Sequence, residues 1–566
     1  SILSALSLKG SDPKASGPFI VRDGRLAIRE PDLFEREPRT ILELFHEAAR
    51  ADARIHPTTT RAVTRALDRI DDDLRADPEA NALFLSLLTD RQNADWLLRL
   101  LNETGVLGRF LPEFGRIVAL MQFNMYHHYT VDEHTIETMR TLARIERGEA
   151  SDEHPVAAEI ARQGINRRVL YVALLLHDIG KGGPRDHSEV GSEIAAAVCP
   201  RLGLSESESA LVVWLVRHHL LMSDVAQKRD IADPVTVQAF AQEVQSPERL
   251  RLLLILTVCD IRGVGPGVWN NWKAQLLRKL YWDTRGFLTA GGDVLSSQAA
   301  RVQEARESLA TALSGWAAPA REAELERHYP QYWLGLDTAA HLRFAELEAM
   351  DSGADAPSRI NTHFVPDPAR DVTVAYLYLH DHPGLFARMA GAFALSAASV
   401  VDARSYTTND GMTCAVFWIQ DADGHPFEET RLPRLRRAIE RTLRGELVAH
   451  DAIAEKVRPR AREESFHVPT TVVFDNEASE LYTVIEVNAR DRIGLLHALA
   501  RTLSGRNVNI FTAIIATYGE RAVDVFYVKD IFGMKIRNPQ KQRAIESAIV
   551  EAIEANDAAY RDQGTG

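Results

Sequence analysis

The chain has 566 residues, too many for one hydrophobic core, so roughly three to five domains are expected. Its 45% apolar and 26% charged residues exclude a disordered, collagen-like or disulfide-scaffold protein, and its net charge of −13 opposes binding to nucleic acid or an anionic membrane. Three cysteines without a CxxC pair, no secretory signal and no apolar run of about 18 residues indicate a cytoplasmic protein.

The first half of the chain has a helical pattern. Residues 19–28 alternate in polarity around an Asp-Gly pair, which predicts a β-hairpin at the edge of a larger sheet. Residues 31–122 predict a helical bundle, and residues 123–285 stay helical but become richer in His and Asp. Residues 286–369 predict a helical linker region that ends in a polar, proline-containing passage.

The pattern changes to alternating strands near residue 370 and then occurs twice. Residues 370–450 and 478–560 each predict a strand, a helix, two strands and a helix. Asp381 aligns with Asp491 at an offset of 110 residues, and Phe417 aligns with Phe526 at an offset of 109. A one-residue loop deletion explains the difference, so we expect two copies of one small α/β unit.

Three predicted apolar helices end in residue types that bind metals. Burying imidazole and carboxylate there is costly unless they are paired or metal-bound. A lone buried histidine is more often a hydrogen-bonded core residue, but three such helix ends with two flanking histidines are hard to obtain by chance. The mixed nitrogen and oxygen set suits divalent cations and is large enough for two. The set comprises His134, His177, Asp178, His187, His218, His219 and Asp260.

This order of residues, with the run HDIGKG at 177–182, resembles the HD-domain phosphohydrolase superfamily. The resemblance implies a primary metal held by His134, His177, Asp178 and Asp260. It also implies a second metal held by His187, His218 and His219, with Asp178 bridging the two ions. Mg or Mn is expected, with Fe or Zn as alternatives. A coordinated water would supply hydroxide near neutral pH for phosphate ester hydrolysis. Lys181, in a turn flanked by glycines, is expected to contact a phosphate, and the alternative is an exposed loop lysine.

The two α/β copies carry similar loops, DHPGL at 381–385 and DRIGL at 491–495. Glycine permits close backbone approach there, and a helix N-terminus offers free N–H groups to a carboxylate. The loops resemble the ACT domain, a regulatory module that binds amino acids, although Ile493 replaces the usual proline. The resemblance implies effector binding by Asp381, Gly384, Asp491 and Gly494. The alternative is that these glycines only shape a turn and the domains only dimerise.

The motifs in this order, with EPRTILELF (37–45), IHPTTTR (55–61) and HHLLM (218–222), resemble the bifunctional uridylyltransferase/uridylyl-removing enzymes that act on the nitrogen signal protein PII. The resemblance implies removal of UMP from uridylylated PII, with glutamine sensed by the ACT domains. No Gly-Ser helix start followed by a D-x-D pair is found in the sequence. We therefore expect this chain to lack the family's nucleotidyltransferase domain and its activity, with residues 1–30 as a remnant.

The expected fold class is multidomain α and α+β, with an all-helical bundle and an all-helical HD domain followed by two βαββαβ ACT domains. Two rival functions stay open. A guanosine tetraphosphate hydrolase also combines HD and ACT domains, but residues 286–369 are too short and too helical for its intervening domains. A non-catalytic regulatory scaffold would use the metal only for stability. Edge-to-edge pairing of ACT units would permit an oligomer.

Overall fold

The computed structural model describes residues 17–120, 129–265, 267–289, 298–350, 359–456 and 468–562. They form two compact units. The first unit contains the chain up to Met222 and residues 247–268, and the second contains residues 223–246 and the chain from Trp269 onward. The three cysteines are buried free thiols. Every helix within the described residues is too short or too polar to traverse a lipid bilayer.

The first unit begins with the predicted hairpin, formed by strands β1 (Phe19–Arg22) and β2 (Arg25–Ile28). Leu26 joins this hairpin to the helices, because its backbone bonds to Arg54 and His56. The helices that follow are α1 (Leu33–Arg36), α2 (Thr40–Ala51), α3 (Pro57–Arg65), α4 (Asp72–Ala76), α5 (Pro78–Leu88), α6 (Ala94–Glu103), α7 (Val106–Phe110), α8 (Pro112–Gly115), α9 (Val131–Glu146), α10 (Pro155–Gln163), α11 (Arg167–Leu176), α12 (His187–Arg201) and α13 (Glu206–Arg217).

The chain then crosses between the units more than once. Four helices lie on this path, and the third of them returns to the first unit. They are α14 (Leu221–Lys228), α15 (Pro234–Val244), α16 (Pro247–Gly263) and α17 (Asn271–Thr289). The second unit continues with α18 (Gln298–Ala312), α19 (Ala318–Glu326), α20 (Pro330–Gly335) and α21 (Thr338–Ala349).

An eight-stranded antiparallel sheet forms the centre of the second unit, with strand order β3-β4-β6-β5-β9-β10-β8-β7. The first copy contains β3 (Ile360–Asp367), β4 (Val372–His380), α22 (Leu385–Leu395), β5 (Ser399–Thr407), β6 (Met412–Gln420) and α23 (Leu432–Leu443). After α24 (Ala449–Lys456), the second copy contains β7 (Thr471–Asp475), β8 (Thr483–Arg490), α25 (Leu495–Gly505), β9 (Val508–Tyr518), β10 (Arg521–Asp530) and α26 (Pro539–Asp562).

The described order in each copy is ββαββα, which differs from the predicted βαββαβ. The edge strand precedes the first predicted strand instead of following the second helix. Residues Ile360–Asp367, assigned from the sequence to the linker, form this edge strand in the first copy. Pro366 hid it, because proline weakens a strand signal and is tolerated only at an edge or bulge. The rest of the linker passage, residues 351–358, lies outside the described residues.

The two copies join through β5 and β9 in a symmetric way. Ala403 pairs directly with Ala513, and these two residues are equivalent in the repeat alignment. On either side, Asp402 pairs with Ile514 and Arg404 with Thr512. Such pairing of equivalent positions defines a two-fold relation inside one chain, as in an isologous dimer interface. The edge-to-edge pairing expected between ACT units therefore occurs here within a single chain.

Both faces of the sheet are covered. One face packs against α22, α23, α25 and α26, which contribute alternate apolar residues to a shared core with the inward side chains of the strands. On the opposite face, the first copy packs against α18, α20 and α21. Because β4 and β6 are buried on both faces, their sequences, VTVAYLYLH and MTCAVFWIQ, are nearly continuous apolar runs.

Residues 223–246 attach to the opposite face of the sheet through polar contacts. Arg404 on β5 places Nη2 2.9 Å from Asp230 Oδ1, and the backbone N–H of Asp230 donates to the hydroxyl of Tyr527 at 2.7 Å. Arg229 pairs with Glu486 at 2.9 Å. Both flanks of this segment continue into the first unit. The sheet therefore holds a stretch of chain that the sequence analysis placed in the HD region.

Candidate metal centre

The predicted ligands lie at the ends of five helices in the first unit. His134 is in the first turn of α9, His187 begins α12, and Asp260 lies one turn before the end of α16. His177 and Asp178 directly follow α11, and His219 closely follows α13. Local signals set these ends, since Asn166 caps the start of α11 and a capping box starts α13.

The first group of ligand atoms gathers around His134 Nε2. This atom lies 3.0 Å from Asp260 Oδ1, 3.2 Å from His177 Nε2 and 3.5 Å from Asp178 Oδ2. His177 Nε2 is also 3.4 Å from Asp178 Oδ2. The donor atoms of His134, His177 and Asp178 all lie within 4.8 Å of one another, which suits one cation. Asp260 Oδ1 lies beside this group, 3.0 Å from His134 Nε2 and 3.6 Å from His177 Nε2.

The second group lies on the other side of the same carboxylate. Asp178 Oδ1 is 3.8 Å from both His187 Nε2 and His219 Nε2, which are 3.4 Å from each other. Asp178 thus turns one oxygen toward each group, as a carboxylate that bridges two cations would. Within the described part of the chain, these are the two clusters whose donors suit a metal.

Backbone carbonyls orient two of the imidazoles toward the centre. The Nδ1 atom of His177 lies 2.7 Å from the carbonyl oxygen of Leu174, and that of His219 lies 2.7 Å from the carbonyl oxygen of Val216. When the ring is neutral, a proton on Nδ1 satisfies each carbonyl and leaves the Nε2 lone pair facing the other donors. Metal-binding histidines are commonly held in this way, so the donor set fits a divalent cation.

The electrostatics of the centre favour the charged form of its carboxylates and the neutral form of the two histidines in the second group. Burial raises the pKa of Asp178, but His177 and Lys181 outweigh it and hold that pKa well below its usual range. Burial and the neighbouring His177 lower the pKa of His219 to about 4. Burial lowers the pKa of His177, but the charges of Asp178 and Asp260 raise it to about 9. A cation would therefore displace a proton from His177 as it bound.

Two predicted site residues stand apart from the ligand groups. Lys181 places Nζ 2.6 Å from Asp178 Oδ2, so its ammonium neutralises the bridging carboxylate in this structure. His218 belongs to neither ligand group of the described residues. Its ring stacks on Trp214 with centroids 4.8 Å apart, and its Nδ1 lies 2.9 Å from the Trp214 carbonyl oxygen. A metal-binding role for His218 stays a prediction.

Asp132 is a positioning residue that the sequence analysis missed. It is buried in the first turn of α9, where Asn102 Nδ2 donates to Oδ2 at 2.9 Å and the backbone N–H of Ala119 donates to Oδ1 at 3.0 Å. These bonds fix the helix start that carries His134. An acidic residue in a first helical turn was the available signal.

Gly180 in the HDIGKG run allows the second ligand group to form. A Cβ atom at this position would lie 2.2 Å from the His187 carbonyl oxygen and 2.7 Å from the Gly191 nitrogen, both in the backbone of α12. The loop after α11 and the start of α12 can approach this closely only without a side chain. The glycine therefore brings His187 to Asp178.

We expect Gly180→Ala to lower the free energy of unfolding by about 1–3 kcal/mol, because overpacking must displace the start of α12. Urea unfolding of the purified chain measures this loss. Gly183→Ala is the matched control in the same loop, since a Cβ there meets no atom within 4 Å. Equal unfolding free energies for the two variants would contradict the packing role of Gly180.

Comparison with known proteins gives matches in three parts of the chain. Residues 19–110 match the family described as uridylyltransferase GlnD third domain. Residues 131–261 match the HD domain, and residues 471–556 match the ACR9-like, ACT-like domain. The HD match contains the described ligand groups, and the ACT-like match covers the second α/β copy from β7 to within α26.

Curated proteins named bifunctional uridylyltransferase/uridylyl-removing enzyme are similar along the chain. The protein from Ruegeria pomeroyi is 54% identical over 95% of this chain and 59% of its own length. Those from Cereibacter sphaeroides and Azospirillum brasilense are 52% and 47% identical over 94% of this chain and 57% of their own lengths. This chain belongs to their family. It spans less than three fifths of the length of these uridylyltransferase/uridylyl-removing enzymes.

The family predicted from the sequence is thereby confirmed, as is the HD domain. For this member of the uridylyltransferase/uridylyl-removing family, the HD match implies divalent metal binding, and the mixed nitrogen and oxygen donors fit such an ion. The identity of the ion does not follow from the donors, because His and Asp accept several divalent metals.

The two α/β copies of this family member place the predicted effector loops at matching positions. Gly384 and Gly494 each precede a helix and adopt left-handed φ values of 79° and 81°, which glycine accommodates without strain. In the first copy, the hydroxyls of Thr407 and Thr413 both donate to Asp381 at 3.1 Å. Effector binding by these loops stays a prediction.

Proposed function

We propose that this chain is a metal-dependent phosphodiester hydrolase that removes UMP from the uridylylated PII signal protein. The supporting observation is the bridging arrangement of Asp178, whose two oxygens face separate groups of metal-binding side chains. The HD match and the name that the relatives share agree with this chemistry. The site residues are the predicted ligands His134, His177, Asp178, His187, His219 and Asp260.

Two bound divalent ions, with Mg or Mn expected, would supply an activated water and neutralise the phosphoryl oxygens. The residues of the chain have distinct tasks around them. Asp178 faces both ligand groups and fixes their relative position. The buried histidines, as neutral imidazoles, would offer Nε2 as the ligand atom. Lys181 lies in a half-buried position beside Asp178, from which its ammonium can meet a phosphate oxygen. None of these tasks requires a serine or cysteine nucleophile.

Elemental analysis of the purified chain tests the metal requirement. We expect up to two divalent ions per chain, and we expect a chelator to abolish UMP release from uridylylated PII until Mg²⁺ or Mn²⁺ is restored. The control is the same assay after mock dialysis without chelator. Full activity in a metal-free preparation would contradict the proposal. Metal binding without any hydrolysis would instead favour the non-catalytic scaffold.

Glutamine is the proposed effector of the ACT-like copies, with high glutamine favouring UMP removal. This role is supported by the geometry of the two loops, because each places a glycine with a left-handed backbone conformation directly before its helix, α22 or α25. A guanosine tetraphosphate hydrolase is the less favoured hypothesis. Residues 298–350 form helices α18–α21, and this stretch is too short and too helical for the domains that such an enzyme has between its HD and ACT domains. Release of UMP from uridylylated PII, with no hydrolysis of guanosine tetraphosphate, separates the two functions.

A further inference from the structure

Residues 223–246 lie between two predicted metal ligands in the sequence. His219 precedes the first residue of α14, Leu221, by two positions, and Asp260 lies on α16, which begins at Pro247. The segment itself folds with the sheet of the second unit, whereas the chain before and after it belongs to the first unit. Because α14 is one continuous helix, a displacement of its C-terminal end passes along its backbone to the end beside His219.

Asp230 contacts both α/β copies. In the first copy, Arg404 on β5 places Nη2 2.9 Å from Asp230 Oδ1. In the second copy, the hydroxyl of Tyr527 on β10 accepts a hydrogen bond from the backbone N–H of Asp230 at 2.7 Å. The side chains of Asp230 and Arg404 are only 12% and 9% exposed, so solvent and salt screen their ion pair weakly. Asp230 therefore fixes the segment to both copies.

Further polar contacts join the segment to the second copy. Arg229 pairs with Glu486 at 2.9 Å, and the hydroxyl of Ser479 donates to Asp233 at 2.6 Å. With Asp230 bound to the first copy as well, the segment spans the junction of the two copies. Because these contacts are short and directional, a shift of one copy relative to the other must move the segment or break a contact.

The junction that the segment spans is short. Strand β5 pairs with β9 over Asp402–Arg404, whereas it pairs with β6 over Ser399–Thr407. Fewer backbone hydrogen bonds therefore resist a shift at the junction than within the first copy. On the other face of the sheet, Nδ1 of His497 on α25 lies 2.7 Å from the carbonyl oxygen of Ala387 on α22. The helices that follow the two predicted effector loops thus meet across the same junction.

We propose that Asp230 is a positioning residue that couples the arrangement of the two copies to the metal centre. A shift at the junction moves Asp230 and, through α14, the chain beside His219. This inference deepens the proposed effector role of the ACT-like copies and rests on it. Glutamine changes the metal centre by this route only if it binds two arrangements of the copies with unequal affinity. Linkage then requires that a bound metal ion changes the glutamine affinity by the same factor.

UMP release from uridylylated PII, measured on the intact chain with and without glutamine, tests this coupling. In the wild type we expect glutamine to raise the rate at least about fivefold, the lower end of usual coupling factors. In Asp230→Asn the ratio of the two rates should fall to about one, because an amide lacks the charge that holds Arg404. Calorimetry should show that this variant still binds glutamine, which separates lost coupling from lost binding.

Tyr527→Phe is a second variant, which breaks the contact of Asp230 with the second copy by removing one hydroxyl. It is the smaller change, and we expect the same loss of the glutamine response if Asp230→Asn does not fold by circular dichroism. Asp224→Asn is the control, because it makes the same chemical change on α14 at a side chain that is 48% exposed and pairs with Lys228. Its response to glutamine should equal that of the wild type.

A purely structural role for Asp230 gives a different result. It would lower the stability and the rate of UMP release equally with and without glutamine, so the ratio of the two rates would stay at the wild-type value. A wild-type ratio in either folded variant, Asp230→Asn or Tyr527→Phe, would overturn the coupling.

Mn²⁺ binding, measured by calorimetry with and without glutamine, tests the coupling without hydrolysis. Linkage predicts that glutamine changes the Mn²⁺ affinity of the wild type but not that of Asp230→Asn. If the wild type releases no UMP, the hydrolase is contradicted and this metal measurement still decides the coupling. Glutamine that binds the wild type without changing the rate or the Mn²⁺ affinity overturns the coupling alone. No glutamine binding overturns the effector role together with the coupling.

Discussion

Asp178→Asn is expected to lower the rate of UMP release from uridylylated PII by at least about 10³-fold. The carboxylate faces both ligand groups, and an amide cannot supply an anionic oxygen to each. Metal stabilisation of phosphoryl charge contributes several kcal/mol to a barrier, and each 1.36 kcal/mol is tenfold in rate. Initial rates of UMP release, with the metal content of the same preparation, measure the effect.

Asp152→Asn is the matched control for this substitution. It removes a carboxylate from an exposed position of the same helical unit. We expect its rate and metal content to equal those of the wild type. If Asp178→Asn retained UMP release within tenfold of the control, the bridging carboxylate would not be part of the reaction, and the hydrolase proposal would be rejected.

Arg404→Met is expected to lower the free energy of unfolding by about 3–5 kcal/mol, the usual effect of removing one partner from a buried ion pair. Arg404 is buried, lies 2.9 Å from Asp230 Oδ1 and 3.6 Å from Asp402 Oδ2, and donates to the Gly335 carbonyl oxygen at 2.7 Å. Its removal leaves two buried carboxylates close together. Urea unfolding followed by circular dichroism measures the loss.

Arg437→Met is the control for the arginine substitution, because Arg437 is exposed on α23. A change within about 0.5 kcal/mol is expected there. Adding Asp230→Asn to Arg404→Met should restore part of the lost stability, since it removes one of the stranded charges. A loss no larger than that of the control would show that the ion pair does not stabilise the sheet against residues 223–246.

The helical half and its ligand-bearing helix ends were predictable from local sequence. An apolar run that ends at His177 and Asp178, or at Asp260, predicts a paired or metal-bound side chain from local sequence alone. The reason is that burying an imidazole or a carboxylate is costly in any fold. The structure brings six predicted ligands together, although their role in metal binding stays a prediction. His218 shows the limit of this reasoning, because adjacent histidines at a helix end point in different directions.

The edge strands and the path of residues 223–246 were not predictable in the same way. A strand such as Ile360–Asp367 forms because a neighbouring strand presents unpaired backbone groups, which is information held elsewhere in the chain. Asp230 has no local feature that marks it as a partner of Arg404, which lies 174 residues away. Long-range pairing of this kind depends on the assembled sheet.

One difference between the two copies was visible in the sequence, but its place in the fold was not. Ala415 and Asp524 align within the repeat, yet an aspartate in a strand is equally compatible with a solvent-facing position. The register of β10 with β8 and β9 decides that this side chain turns inward. Only the three-dimensional structure shows that this acid is buried.

The double crossing of the chain has a consequence for protein engineering. Residues 223–246 fold with the sheet, so no single truncation point separates the two units. A fragment that starts at residue 370 would lose Asp230 and Arg229, and would present Arg404, Glu486 and Tyr527 to solvent. A transplantable form of the second unit must therefore be built from two segments of the gene, joined by a new connection.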